Sequence, residues 1–211
     1  MNKKQLITIL ILFLIALPLY AETDKVTLDS ESGGTAGLEL KIPFGKQYDY
    51  NNIKCTRVVD GDTIELENGE KVRLIGIDTP ESRNNSKTRR DSKDIKTITS
   101  MGKKATEFTK KLVEGKQVRL EFDVGKKDRY GRLLAYVYFK DVCGGGNIIS
   151  EIVHGSFVLH VAPHEVEIHL NEAIIKMGYA SPMTIPPNVK HAELFKKLYE
   201  EAMESKRGLW R

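Results

Sequence analysis

VVDGDTIEL (Val58–Leu66) and RLIGIDTPE (Arg73–Glu81) set the terms for the rest of a 211-residue chain. Both are short runs of β-branched and leucine residues in which polar and apolar positions alternate, the pattern of half-buried strands. Both also carry carboxylates at their ends, Asp60 and Asp62 in one, Asp78 and Glu81 in the other, where a plain core strand would have none. Acids at strand ends beside a turn face solvent on a rigid support, as a metal or catalytic site requires. Asn68-Gly69, in LENGEKV between the two runs, signals a hairpin, because type I′ turns need positive φ.

Outward from these runs, IKCTRVV, DTIEL, KVRLIGI, QVRLEFD and RLLAYVYF make five strand-like segments between residues 53 and 139. GKKATEFTKKLVEG puts Ala105, Phe108 and Leu112 on one helical face and ends at Gly115, a C-cap residue. NEAIIKMG predicts a short second helix stopped by Gly178, and a third runs from about Val189 to Lys206 with Ala192, Phe195, Tyr199 and Ala202 aligned. The order implies an α+β fold: a five-stranded OB-type β-barrel with about three flanking helices, an architecture common among nucleic-acid binders. The domain spans 53–211, behind a flexible leader at 22–52. Residues of about 143–168 interrupt the pattern with His154, His160 and His164, and His169 follows. A histidine-rich metal site is conceivable there, but the spacing favours an extra hairpin of SFVLHVA and EVEIH.

At 40% hydrophobic and 29% charged residues, the composition is that of a globular protein, neither disordered nor membrane-spanning. Net charge is only +4, yet Arg83–Lys104 holds eight basic residues against Asp91 and Asp94, a run that attracts anions, phosphate backbones included, or forms a solvated loop. Residues 1–21 have Lys3 and Lys4, an apolar run from Leu6 to Leu19 and small Ala21, the layout of a secretory signal peptide. The expected location is therefore secreted or periplasmic after cleavage, with a retained N-terminal anchor as the alternative; no stable membrane partner and a monomeric state are expected. Cys55 and Cys143 could form a disulfide in an oxidising compartment or remain buried thiols.

Asp62 and Asp78 together could hold a hard divalent cation. Calcium takes six to eight oxygens and accepts carboxylates, backbone carbonyls and water, so two carboxylates and a carbonyl would leave room for a substrate oxygen. Arg73, on the strand leading to Asp78, and Arg132, after KKDRYG, offer guanidinium forks that match phosphate oxygens.

Taken in order, VVDGDTIEL, VRLIGIDTPES, ATEFTKKLVEGKQVRLEFD, DRYGRLLAYVY, LNEAIIKMGYA and ESKRGLW resemble the motifs of the staphylococcal nuclease (thermonuclease) family over about residues 53–142 and 167–211. The resemblance implies an OB-fold with three helices and Ca2+-dependent hydrolysis of DNA and RNA. It implies that Asp62 and Asp78 hold the metal with the carbonyl of Thr79, that Glu81 is the general base, and that Arg73 and Arg132 clamp phosphate. Asp60 matches a family acid near the metal, and Tyr130, with Arg129 beside it, a residue near the bound nucleotide. The rival class is a catalytically silent OB module that binds nucleic acid or protein; such modules typically lose the acids and arginines kept here. Where the family has nucleotide-contacting tyrosines, this chain has Thr184 and Pro186, and its basic loop after Thr79 is longer.

Overall fold

In the computed structural model, which describes residues 48–82, 95–154 and 162–211, the alternating runs become β1 (Ile53–Asp60), β2 (Thr63–Leu66), β3 (Lys71–Leu74), β4 (Gly76–Asp78), β5 (Gln117–Glu121) and β6 (Leu133–Cys143). Strands β7 (His164–His169) and β8 (Ser181–Met183) follow, with helices α1 (Ile95–Val113), α2 (Ile148–His154), α3 (Leu170–Lys176) and α4 (Ala192–Glu204). A 3-10 turn at Gly208–Trp210 ends the chain. The sheet runs β3-β2-β1-β5-β6-β7, and parallel pairing of β3 with β6 closes the first five into a barrel. This is the expected five-stranded α+β barrel, with a fourth helix in the insertion.

Period-two alternation becomes the inside and outside of that barrel. Ile64, Leu66, Val72, Leu74, Val137 and Phe139 are buried within one apolar cluster, each burial stabilising by about 1.5–3 kcal/mol. Leu112 of α1, Ile174 of α3 and Phe195 of α4 join the same cluster from outside the barrel wall. The predicted face of the last helix is confirmed at Phe195 and Ala202, both buried.

Several local details differ from expectation. The hairpin after β2 closes through Glu67–Gly69, with Gly69 at positive φ but Asn68 not. Asn68 instead accepts the Glu70 N–H through Oδ1 at 3.0 Å, so the turn is not type I′. α1 begins at Ile95, seven residues before Gly102, because that glycine lies inside the helix. KVRLIGI does not run on as one strand: it breaks at Ile75, and β4 leaves the barrel to pair with β8.

In the insertion, β7 adds to the sheet edge along β6, with Phe139 opposite Ile168 and Cys143 opposite His164. EVEIH therefore finds its partner in β6, and α2 lies in the connection. SFVLHVA lies outside the described residues except for Ala162, as do His160, residues 1–47, and most of the basic run, Arg83 to Asp94. Lys96, Lys103 and Lys104 of that run stand exposed on α1. Cys55 and Cys143 are free and buried, which leaves two thiols and no disulfide between them. Burial pushes the Cys55 thiol up to about 12. Among the described residues no helix is long and apolar enough to cross a membrane.

Candidate active site

The break at Ile75 determines where the acids go. Thr63 pairs with Arg73 across the β2–β3 ladder, so Asp62, one residue earlier, lies beside that arginine. After the break the chain turns back, and Asp78 at the end of β4 reaches the same guanidinium. Arg73 Nη1 is 2.9 Å from Asp62 Oδ2, and Nη2 is 3.0 Å from Asp78 Oδ1. Arg73 is only 9% exposed and Asp62 7%, so this pair stands largely out of water, while the Asp78 side chain is partly exposed. Asp62 accepts further hydrogen bonds from Thr79 N–H at 3.0 Å, Thr79 Oγ1 at 3.1 Å and Thr63 Oγ1 at 3.0 Å. A buried carboxylate needs such partners, since desolvation is otherwise uncompensated.

α1 anchors the acidic corner from outside the barrel. Thr109 Oγ1 donates to the Gly61 carbonyl at 2.8 Å, and Thr106 Oγ1 donates to Asp60 at 3.1 Å. Burial, reinforced by the charge of Asp62, pushes the Asp60 carboxyl above the ordinary carboxylate range despite hydrogen bonds from Gly61 N–H and Thr106. Two glycines allow the segments to touch. A Cβ on Gly61 would lie 2.7 Å from Thr79 Oγ1, and one on Gly102 would lie 2.3 Å from the Glu81 carbonyl carbon. The Asp78–Glu81 segment therefore rests directly on α1, and the half-buried Glu81 faces a cavity of about 270 Å³ shared with Asp78, Met101, Tyr179 and Trp210.

Arg73 also lines a second cleft, of about 540 Å³, together with Arg129, Tyr130, Arg132 and Pro186. The parallel β3–β6 ladder explains this: Val72 pairs with Leu133, the residue after Arg132. Arg132 is held by Asp128, whose Oδ2 accepts from Nε at 2.7 Å while Oδ1 accepts the Arg132 N–H at 3.0 Å. Burial acts to raise the Asp128 carboxyl, but the Arg132 guanidinium and the N–H groups of Arg132 and Tyr130 outweigh it and hold it below the usual range. Tyr130 is 69% exposed, with the Arg129 and Arg132 guanidinium carbons 4.8 and 5.6 Å from its ring centre. Asn188 pins the opposite wall, accepting from Gly125 N–H at 2.7 Å and donating to its carbonyl at 2.9 Å. Ile185, Pro186 and Pro187 form that wall, an apolar surface in place of tyrosines.

The fold thus gathers Asp60, Asp62, Arg73, Asp78 and Thr79 at one corner, with Glu81 three residues further on and Arg132, Arg129 and Tyr130 in the cleft that Arg73 shares. Sequence reasoning missed Thr106, Thr109 and Asn171. Asn171, fully buried on α3, donates to the Ile75 carbonyl at 2.8 Å and accepts the Val137 N–H at 3.0 Å, which fixes the strand break. The available signal was polarity out of place: two threonines beside the apolar face of α1 and an amide in the apolar run of α3.

The donor chemistry suits a hard cation. One guanidinium already meets both carboxylates, so the corner accommodates positive charge, and every ligating atom on offer at Asp62, Asp78 and Thr79 is oxygen. Comparison with known proteins places the chain among nucleases. The family model described as staphylococcal nuclease homologue matches residues 71–211. The chain is 33% identical over 157 residues to the thermonuclease of Staphylococcus intermedius, covering 73% of each chain. It is 32% identical to that of Staphylococcus hyicus over 74% of each, and 30% identical to the endonuclease YncB of Bacillus subtilis over 89% of this chain and 76% of that one. The matched range begins at β3, so Asp60 and Asp62 lie before it; the ion pair to Arg73 ties Asp62 to the matched part.

Proposed function

The chain belongs to the staphylococcal nuclease family, and on that footing we propose that it is an exported, Ca2+-dependent nuclease hydrolysing phosphodiester bonds of DNA and RNA. The observation that carries the reading is Arg73 itself, which bridges Asp62 and Asp78 and also lines the cleft that holds Arg132. Asp62, Asp78 and the Thr79 carbonyl would hold calcium, whose positive charge would offset the negative charge of the scissile phosphate. Arg132, oriented by Asp128, and Arg73 bind the phosphate oxygens through their forks. Glu81 takes a proton from the attacking water, and the products are 5′-hydroxyl and 3′-phosphate ends. Tyr130 and Arg129 meet the nucleotide at the cleft mouth, where the apolar Ile185–Pro187 wall replaces aromatic stacking worth about 1–3 kcal/mol per base.

Magnitudes divide the labour. Enzymes commonly lower a barrier by about 8–23 kcal/mol, and a general base contributes roughly 10²–10⁴-fold, near 3–5 kcal/mol. Charge stabilisation and positioning must supply the larger part. Arg73→Ala and Arg132→Ala therefore impair turnover at least as severely as Glu81→Gln, and lysine at either position does not restore it fully. The decisive test incubates the mature protein with plasmid DNA and single-stranded RNA, in calcium and in chelator. Cleavage in calcium alone is expected; an inert protein in calcium would leave a binding module. Export rests on Lys3, Lys4 and the apolar run Leu6–Leu19, and N-terminal sequencing of protein from the producing cells checks cleavage after Ala21. The enzyme acts as a monomer, which its mass in solution tests.

A further inference from the structure

Three soft or borderline donors distant in sequence meet at the far end of β6. Cys143 is its last residue, His154 closes α2 and His164 opens β7; one ligand atom from each lies within 4.8 Å of the others. We infer that Cys143, His154 and His164 form a second metal site, for a zinc-type divalent cation, that clasps the insertion to the barrel.

The register creates the site. Cys143 and His164 are directly opposed in the β6–β7 ladder, and opposed residues project to the same face. Cys143 lies four residues beyond the buried Phe139, hence on the barrel side, and α2 covers it there. Ser150 of α2 holds the corner: its Oγ accepts the Gly144 N–H at 2.8 Å and lies 3.7 Å from Cys143 Sγ. A thiolate with two imidazoles selects zinc-type ions over calcium, which requires oxygen. His164 is prepared as a ligand, because its Nδ1 is 3.1 Å from the Ala162 carbonyl. A carbonyl only accepts, so Nδ1 carries the proton and Nε2 keeps its lone pair, the arrangement that orients metal-bound histidines.

Tetrahedral zinc, with bonds of about 2.3 Å to sulfur and 2.0–2.1 Å to nitrogen, sets its donors roughly 3.3–3.6 Å apart. The donors must therefore close by about 1 Å, and His154 and His164, both exposed, are free to turn. Cys143 is 0% exposed and stays in place. As the metal–sulfur bond forms, the thiol releases its proton, one per ion bound. Water fills the fourth position. The site lies at the opposite end of β6 from Arg132, about 35 Å of strand away, so its role is structural.

Cobalt(II) is the probe, titrated into chelator-treated full-length mature protein with calcium in excess to occupy the oxygen donors at Asp62 and Asp78. The expected result is a thiolate-to-cobalt charge-transfer band saturating at one equivalent and bleached by zinc. Cys143→Ser abolishes the band, His154→Ala weakens binding at least tenfold, and Cys55→Ala retains the band. Zinc raises the melting temperature of the parent but not of His154→Ala, whose nuclease activity in calcium is unchanged. Absence of a thiolate band, or a band that survives Cys143→Ser, overturns the site. Neither result depends on cleavage of nucleic acid.

Discussion

Replacing Arg73 by Gln tests the triad at the centre of the candidate site. The guanidinium stands 2.9 Å from Asp62 and 3.0 Å from Asp78, and at an effective dielectric near 20 each pair attracts by about 4 kcal/mol gross for charge centres ~4 Å apart. Desolvation cancels much of that, and removing one partner of a buried pair costs about 3–5 kcal/mol net. Two features favour the lower end. The Asp78 side chain is 30% exposed and screened by water, and Asp62 keeps its hydrogen bonds from Thr63 and Thr79. The expected loss is therefore ~3 kcal/mol, or a fall in Tm of roughly 6–12 °C at about 2–4 °C per kcal/mol for a domain of this size. Circular-dichroism melts in chelator near neutral pH measure it, and a double-mutant cycle with Asp62→Asn should return about 2 kcal/mol of coupling. Calcium should restore part of the lost stability by neutralising the carboxylates that Arg73 leaves behind. A Tm within about 2 °C of the parent, or an additive cycle, would show the guanidinium to be a solvated neighbour and refute the triad.

Gly102→Ala separates helix propensity from packing: propensity alone stabilises by about 1 kcal/mol, whereas a Cβ 2.3 Å from the Glu81 backbone should destabilise by ~1–3 kcal/mol. The displaced Glu81 should also lower kcat by about 10²-fold, so a more stable, fully active variant contradicts the contact. Asn171→Ala strands the Ile75 carbonyl and the Val137 N–H, at about 1–3 kcal/mol for each buried group; an unshifted urea midpoint would remove its role in fixing the strand break. Asp128→Asn probes pH dependence. Its carboxyl is held below the ordinary range, so the stabilisation is full above the unfolded pKa near 3.8 and is lost as pH falls through the lower folded value. The stability gap between parent and variant should be constant near neutrality and close in acid, as unfolding titrations at several pH values will show, and kcat should fall about tenfold as Arg132 loses its orientation.

Strand alternation is a local property, legible wherever successive side chains face opposite sides of a sheet. That is why IKCTRVV through RLLAYVYF marked the barrel strands and why acids at the ends of VVDGDTIEL and RLIGIDTPE stood out. The turn at Asn68 was less legible, because its side chain competes with the type I′ backbone. The α1 boundary was missed since Gly102, a helix breaker by propensity, is required there by the backbone of Glu81.

Sequence alone therefore determined the five barrel strands, the barrel class and the residue types able to hold a cation and a phosphate. Tertiary structure decided their convergence: the break at Ile75 secured by Asn171, the β3–β6 closure that places Arg73 and Arg132 in one cleft, and the β6–β7 register that opposes Cys143 and His164. Alternation is written into each strand by backbone geometry, whereas the approach of residues tens of positions apart exists only once the barrel has closed.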